Sequence, residues 1–216
     1  MKPIYPNIIW DWNGTLLDDV GAALDAVNEM LIQRGQPAID RARYCECMEM
    51  PIIRFYEKVF DLTKEPFESL VKEYNKGYGR QMMRRGLMLG AKEVLQALSD
   101  AGAKQYIISA SERATVEEYA EKYGIRHYFA AVLGAKDQYS VSKIGIAAQY
   151  LKEHAVDPAE TVVIGDILHD FEMAEKLGTA CLLIANGHQS REDLLRTGAP
   201  VLDSIFQVPD KVLCIA

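Results

Sequence analysis

Short apolar runs that end at a polar residue or a glycine alternate along most of this chain with stretches of helical periodicity. Five such runs predict strands buried on both faces, at Ile8–Trp10, Tyr106–Ile108, Ala130–Leu133, Thr161–Ile164 and Ala180–Ala185. Between the runs, apolar residues recur three and four positions apart, which predicts amphipathic helices. The first helix follows from Val20, Ala23, Leu24, Val27 and Leu31.

This alternation predicts how the strands pair. Strand–helix–strand crossovers are right-handed and cover both faces of a sheet with helices, so the strands should lie parallel. We therefore predict an α/β fold with an open, doubly wound parallel sheet. From Gly35 to about residue 87 the sequence is helix-like and poor in strands. That stretch predicts a helical insertion after the first strand.

Composition narrows the classes of protein that fit. The hydrophobic fraction is 49% and the charged fraction 25%, which excludes a disordered chain. The net charge is -7, from 24 basic and 31 acidic residues, and no basic block is present, so we expect no nucleic-acid partner. No apolar run has the length of a signal peptide or membrane span. We expect a cytoplasmic protein without a membrane partner, either a monomer or a homodimer.

Candidate chemistry lies where predicted strands end. Asp11, Ser109 and Asp166 follow strands, Lys143 opens a helix, and Asp170 comes four residues after Asp166. In such a sheet, ligands bind beyond the carboxyl ends of the strands. Carboxylates suit Mg²⁺, while a lysine and a hydroxyl suit phosphate. A carboxylate can also attack phosphorus as a nucleophile.

Four motifs carry a family resemblance. Asp11–Leu16, Ile107–Ser111, Lys143 and Gly165–Asp170 resemble, in order and spacing, the four motifs of the haloacid dehalogenase superfamily. The insertion resembles the helical type-1 cap of that superfamily, and Leu87–Ala110 is most similar to its phosphoglycolate phosphatase-like branch. The resemblance implies a catalytic core at residues 1–16 and 88–216 and a cap at residues 17–87.

The resemblance also implies a function. It predicts a Mg²⁺-dependent phosphatase that acts on a small phosphorylated metabolite through an aspartyl phosphate. Asp11 would be the nucleophile and a metal ligand, and the backbone carbonyl of Asn13, Asp166 and Asp170 would complete the metal site. The predicted phosphate-binding residues are Ser109, Ala110 and Lys143, with Lys136 as the alternative to Lys143. Arg54 of the cap is predicted to bind a second anionic group of the substrate.

One position departs from the family pattern. Phosphatases of this superfamily usually carry a second Asp two residues after the nucleophile, where it transfers protons, and this chain has Asn13 there. An amide cannot perform that transfer. The substrate could then be an ester or an acyl phosphate whose leaving group needs little protonation, or Asp18 or Asp19 could substitute for the missing Asp.

Two further readings follow from the same departure. Phosphonoacetaldehyde hydrolases of this superfamily also lack the second Asp and begin similarly with Asp-Trp. They need a cap lysine that forms a Schiff base, but Arg54 stands where we expect that lysine, and Lys58 is one turn further on. Arginine cannot form the imine. The remaining reading is a catalytically weak or silent domain used for binding.

Overall fold

A parallel sheet forms the centre of the protein in a computed structural model that describes residues 2–135 and 143–214. Within these residues the strands are β1 (Lys2–Pro3), β2 (Asn7–Trp10), β3 (Lys104–Glu112), β4 (Phe129–Ala135), β5 (Thr161–Gly165), β6 (Ala180–Ile184), β7 (Val201–Leu202) and β8 (Leu213–Cys214). Six of them form one sheet in the order β4-β3-β2-β5-β6-β7, while β1 and β8 pair separately and antiparallel.

The helices of the described residues are α1 (Val20–Gln33), α2 (Arg41–Cys47), α3 (Ile53–Val59), α4 (Phe67–Met82), α5 (Ala91–Asp100), α6 (Arg113–Lys122), α7 (Lys143–Glu153), α8 (Leu168–Leu177), α9 (Arg191–Leu195) and α10 (Val208–Val212). The first four all lie between β2 and β3, and the later helices alternate with strands. This order confirms the predicted α/β fold with a doubly wound parallel sheet and an inserted helical cap. None of the helices in this part of the chain is both long and apolar enough to cross a membrane.

The central strands lie in register, which brings their carboxyl ends to one edge. Trp10 at the end of β2 pairs with Ile107 of β3 on one side and with Ile164 of β5 on the other. All four residues of β2 are buried, as expected for a strand covered on both faces. Strand β3 runs further than predicted, to Glu112, because its pairing with β4 resumes after an irregularity that follows Ile108.

The inserted helices have an apolar cluster of their own. Val27 of α1, Tyr44 of α2, Phe55 of α3 and Leu70 of α4 are buried together, separately from the clusters on the two faces of the sheet. At the end of α1, the Arg34 guanidinium adds ion pairs to Glu65 at 2.6 Å and Glu73 at 2.7 Å. The cap is therefore stabilised both by apolar packing and by the ion pairs of Arg34 with two glutamates.

The two connections between the cap and the sheet run side by side. The Asp18 amide donates to the Gly86 carbonyl at 3.0 Å, and the Met88 amide donates to the Leu16 carbonyl at 2.8 Å. The predicted boundaries, at residues 16–17 and 87–88, fall at this paired crossing. The division into two domains at those boundaries stays a prediction.

Candidate active site

The edge formed by the ends of β2, β3 and β5 carries the candidate site. Asp11 follows β2, and its amide continues the ladder by donating to the Ile164 carbonyl at 2.8 Å. Asp166 follows β5, and Ser109 lies within β3. Two helices complete the group: Lys143 opens α7 as predicted, and Asp170 lies in the first turn of α8.

Three of these side chains form a buried carboxylate cluster. Asp11, Asp166 and Asp170 each offer an oxygen, and the three oxygens lie within 4.8 Å of one another. The Lys143 ammonium lies among them, bonded to Oδ1 of Asp11 and, at 2.5 Å, to Oδ1 of Asp170. Asp170 also accepts the Asp166 amide through Oδ2 at 3.0 Å, which fixes the start of α8.

The cluster perturbs the proton affinities of its members. Burial raises the pKa of Asp11 well above its ordinary value, the Lys143 charge opposes that rise, and the charges of Asp170 and Asp166 add to it. Burial is also the main cause that raises the pKa of Asp166, to about 6. Burial alone would lower the pKa of Lys143, but its two carboxylate partners raise it above its ordinary value. The Lys143 ammonium is thus the cation that lies among three buried carboxyl groups.

This donor set fits a hard divalent cation. Carboxylate oxygens are the ligands that Mg²⁺ prefers, and the cluster holds more negative charge than Lys143 neutralises. Two hydrogen bonds hold the Asp166 carboxylate in place. It accepts the Thr15 hydroxyl at 2.9 Å and the His188 backbone amide at 2.6 Å. A Cβ on Gly187 would overlap the Asp166 carboxylate, so this close approach requires a glycine.

Asn13 lies in a hydrogen-bond network beside the cluster. Its Nδ2 donates to Oδ2 of Asp19 at 2.7 Å and to the Tyr78 hydroxyl at 3.1 Å. Its Oδ1 accepts the Ser111 hydroxyl at 2.7 Å. Because the Asp19 carboxylate can only accept when ionised, the orientation of the amide is set by that contact. The network joins the core to Tyr78 on α4 of the cap.

The Asp19 carboxylate, directly before α1, bonds to the core and not to the first turn of that helix. It makes no capping bond to that helix and instead accepts the Gly14 amide at 2.7 Å and contacts His188 Nε2 at 3.2 Å. Burial alone would raise the pKa of Asp19, but the His188 charge and the hydrogen bonds around it hold the pKa below its ordinary value. Asp18, by contrast, is exposed.

His188 is a site residue that sequence reasoning missed. Burial alone would lower its pKa, but the Asp19 charge and hydrogen bond, with smaller contributions from Asp166 and Asp11, raise the pKa to about 9. Its other ring nitrogen lies 2.9 Å from the Tyr44 hydroxyl of the cap. The available signal was its place just after β6, at the same sheet edge as Asp11 and Asp166.

A cavity of about 270 Å³ opens between this edge and the cap. Its core side includes Asp11, Asn13, Ser109, Ala110 and Lys143, all residues selected from the sequence. Ser109 is buried, and its hydroxyl accepts the Ser111 amide at 3.0 Å. The carboxylate Asp166 also lines the cavity, while Asp170 lies behind it, fully buried.

Two basic cap residues do not join the site. Arg54 pairs with Glu57 at 2.9 Å, and Lys58 pairs with Glu49 at 2.6 Å. Neither side chain is among the described residues that line the cavity. Lys136, the alternative to Lys143, lies outside the described residues. A substrate-binding role for Arg54 therefore stays a prediction that this geometry does not favour.

The family assignment follows from a direct sequence match. Residues 8–184 match the family model described as haloacid dehalogenase-like hydrolase. The chain belongs to that family. The match begins within β2 and ends with β6.

Individual relatives extend over nearly the whole chain. The chain is 25% identical over 198 residues to a 5'-nucleotidase of Pseudomonas aeruginosa, covering 91% of this chain and 89% of that protein. It is 25% identical over 220 residues to a phosphoglycolate phosphatase of Vibrio vulnificus, covering 97% and 96%. A haloacid dehalogenase-like hydrolase of Streptococcus pneumoniae superposes with a TM-score of 0.84 at 22% identity, covering 96% of this chain and 98% of that one. That structural likeness supports the fold.

Proposed function

We propose that this family member is a Mg²⁺-dependent phosphatase that removes phosphate from a small phosphorylated metabolite. The observation that carries the proposal is the buried cluster of Asp11, Asp166, Asp170 and Lys143 at the cavity between the sheet edge and the cap. Relatives named as a 5'-nucleotidase and a phosphoglycolate phosphatase support the same reaction class.

In the proposed reaction Asp11 is the nucleophile. Lys143 bonds Oδ1 of Asp11, so Oδ2 forms the bond to phosphorus while the bond from phosphorus to the ester oxygen breaks. The alcohol leaves with the electron pair of that bond and takes up a proton. Water then attacks the aspartyl phosphate, which releases inorganic phosphate and restores the Asp11 carboxylate.

The remaining residues bind and orient in this proposal. Asp11, Asp166, Asp170 and the Asn13 carbonyl would hold the cation, which supplies positive charge that lets a carboxylate approach a phosphate. Lys143 would neutralise a phosphate oxygen as a point charge. The Ser109 hydroxyl and the backbone at Ala110, both at the cavity wall, would bind phosphate oxygens. The cap, residues 17–87, would shield the site from bulk solvent while admitting the attacking water, and the core would supply the chemistry.

Protonation of the leaving group is the step that we expect to slow this enzyme. Asn13 cannot donate and retake a proton, and losing general acid–base help costs about 10²–10⁴ in rate, or roughly 3–5 kcal/mol of barrier. Of the two candidate substitutes, Asp18 is exposed and Asp19 has a lowered pKa, so neither is placed or protonated to serve as the acid. We therefore propose that the enzyme turns over simple alkyl esters slowly, and turns over esters whose leaving group needs little protonation faster.

A panel of phosphate esters tests the proposal. Wild type with Mg²⁺ should release phosphate from at least one ester, and chelator or Asp11→Asn should abolish release. Asn13→Asp should raise turnover on simple alkyl phosphates. An unchanged rate in that variant would mean that another group already transfers the proton, and no release from any ester would favour a binding protein instead.

The phosphonoacetaldehyde hydrolase alternative has a separate test. Borohydride reduction in the presence of phosphonoacetaldehyde should label no lysine, since the basic residues Arg54 and Lys58 pair with glutamates away from the cavity. A labelled cap lysine would replace the phosphatase proposal with carbon–phosphorus bond cleavage.

A further inference from the structure

We infer that the substrate's leaving group is uncharged and carries an apolar ring, so that the enzyme acts on phosphate monoesters of ring-bearing neutral alcohols and rejects carboxylated ones. This inference rests on the proposed phosphatase function and adds the substrate class. It follows from the wall of the cavity opposite the carboxylate cluster.

The cap side of the cavity is almost entirely apolar or aromatic. Its lining residues there include Met48, Met50, Ile52, Phe55, Tyr56 and Tyr74. Ile52 keeps 38% of its surface exposed, and it gives the cavity an apolar rim. An exposed apolar surface that borders a cavity is typical of ligand contact.

The basic side chains along the cavity already have acidic partners. Among the described lining residues, Lys143 is bonded to Asp11 and Asp170, and His188 is paired with Asp19. His169 lies 3.3 Å from Glu172. A second anionic group on the substrate would find no free cation among these described side chains, and burying an unpaired charge is costly.

The shape of the wall suits a flat group. Tyr74 and Tyr78 lie stacked, with ring centroids 5.6 Å apart and planes 24° apart, and Tyr44 meets Phe55 edge-on at 5.3 Å. Aromatic surfaces of this kind bind a further ring by stacking or edge contact. The volume of about 270 Å³ limits the ligand to a small molecule.

A matched pair of non-hydrolysable ligands tests the preference independently of turnover. Benzylphosphonate and phosphonoacetate both carry a phosphonate on a methylene group, and they differ in a phenyl ring against a carboxylate. Calorimetry with Mg²⁺ should show benzylphosphonate binding at least about tenfold more tightly, a factor that corresponds to about 1.4 kcal/mol. Equal affinities, or tighter binding of phosphonoacetate, would overturn the inference.

A positive charge placed at the rim should weaken the preference. Ile52→Arg should lower the benzylphosphonate-to-phosphonoacetate affinity ratio at least about fivefold, because it supplies the missing cation. The matched control is Ile32→Arg, at an isoleucine that is 62% exposed on α1 and does not line the cavity; it should leave the ratio unchanged. An Ile52→Arg ratio equal to that of wild type would count against the inference.

Turnover measurements show which kind of ring-bearing alcohol the enzyme prefers. They also separate the proposed phosphatase function from the inferred substrate preference. Benzyl phosphate and adenosine 5'-monophosphate, a benzylic and a nucleoside ester, should each exceed ribose 5-phosphate and phosphoglycolate in kcat/KM by at least about tenfold. A lead by either ring-bearing ester supports the inference and identifies the source, while a lead by phosphoglycolate or ribose 5-phosphate overturns it. If no ester is hydrolysed but benzylphosphonate still binds more tightly, the phosphatase function fails and the cavity's preference stands.

Discussion

Replacing His188 by glutamine should remove a pH-dependent part of the protein's stability. The pKa of His188 rises from 6.5 to about 9 on folding, because Asp19 holds the protonated ring. At about 1.4 kcal/mol per pKa unit, this rise corresponds to about 3 kcal/mol of stabilisation. Glutamine can keep hydrogen bonds to Asp19 and Tyr44, but it carries no charge.

The sign of the effect follows from the raised pKa. Below the unfolded pKa of 6.5 both states hold the proton, and the stabilisation is fully present. As the pH rises through the folded value of about 9, the folded protein loses the proton and the stabilisation disappears. Wild type should therefore be about 3 kcal/mol more stable than His188→Gln near pH 6 and about equal to it near pH 10.

Urea unfolding across this pH range measures the difference directly. Chelator should be present, because a cation bound at Asp166 would add its own pH dependence. As a control, His127→Gln alters an exposed histidine far from the cluster and should reproduce the wild-type curve. Parallel curves for wild type and His188→Gln, or a His188 ring resonance that titrates near 6.5, would refute the reasoning.

Three other substitutions test the packing around the site and the cap. Lys143→Met should lower the free energy of unfolding by about 3–5 kcal/mol in urea, since it leaves two buried carboxylates without their cation. Gly187→Ala should weaken Mg²⁺ binding about 10- to 100-fold by calorimetry, because its Cβ would displace the Asp166 carboxylate. Arg34→Lys should cost about 1–2 kcal/mol in urea unfolding, because an ammonium cannot replace all four guanidinium hydrogen bonds to Glu65 and Glu73.

Each of these substitutions has a matched control at an exposed position of the same residue type. Lys152→Met changes an exposed lysine on the same helix as Lys143 and should leave stability nearly unchanged. Gly79→Ala adds a Cβ that meets nothing within 4 Å, so Mg²⁺ binding should persist. Arg43→Lys alters an exposed pair with Glu46 and should change stability by less than about 0.5 kcal/mol. Equal effects in a variant and its control would contradict the corresponding prediction.

The sequence predicted the position of a site residue correctly where that residue follows a short apolar run. Asp11 and Asp166 each follow an apolar run directly, so strand length and the parallel-sheet rule bring them to one edge. Strand β3 was harder to delimit, because its last residues, including Ser111 and Glu112, are polar and pair with β4 only after an irregularity. Its end depends on a neighbouring strand, which local pattern does not report.

The contacts of the cap residues Tyr78 and Arg54 were not predicted from the sequence, for two different reasons. Tyr78 reaches Asn13 only because α4 docks on the core, and docking depends on contacts between residues far apart in the chain. Arg54 could have been judged better: Ile52, Phe55 and Tyr56 line the cavity at spacings of three and four, one face of a helix turn, and Arg54 falls out of phase with them.

The wide separation along the chain of the site's partners makes activity a stringent reporter of folding. Lys143 and Asp11 are 132 residues apart, Thr15 and Asp166 are 151 apart, and Asp19 and His188 are 169 apart. Such long-range pairs form only after most of the intervening loops have closed. A fragment ending before β6 would lack His188 and its bond to Asp166, so regain of turnover after dilution from denaturant should trace assembly of the entire molecule.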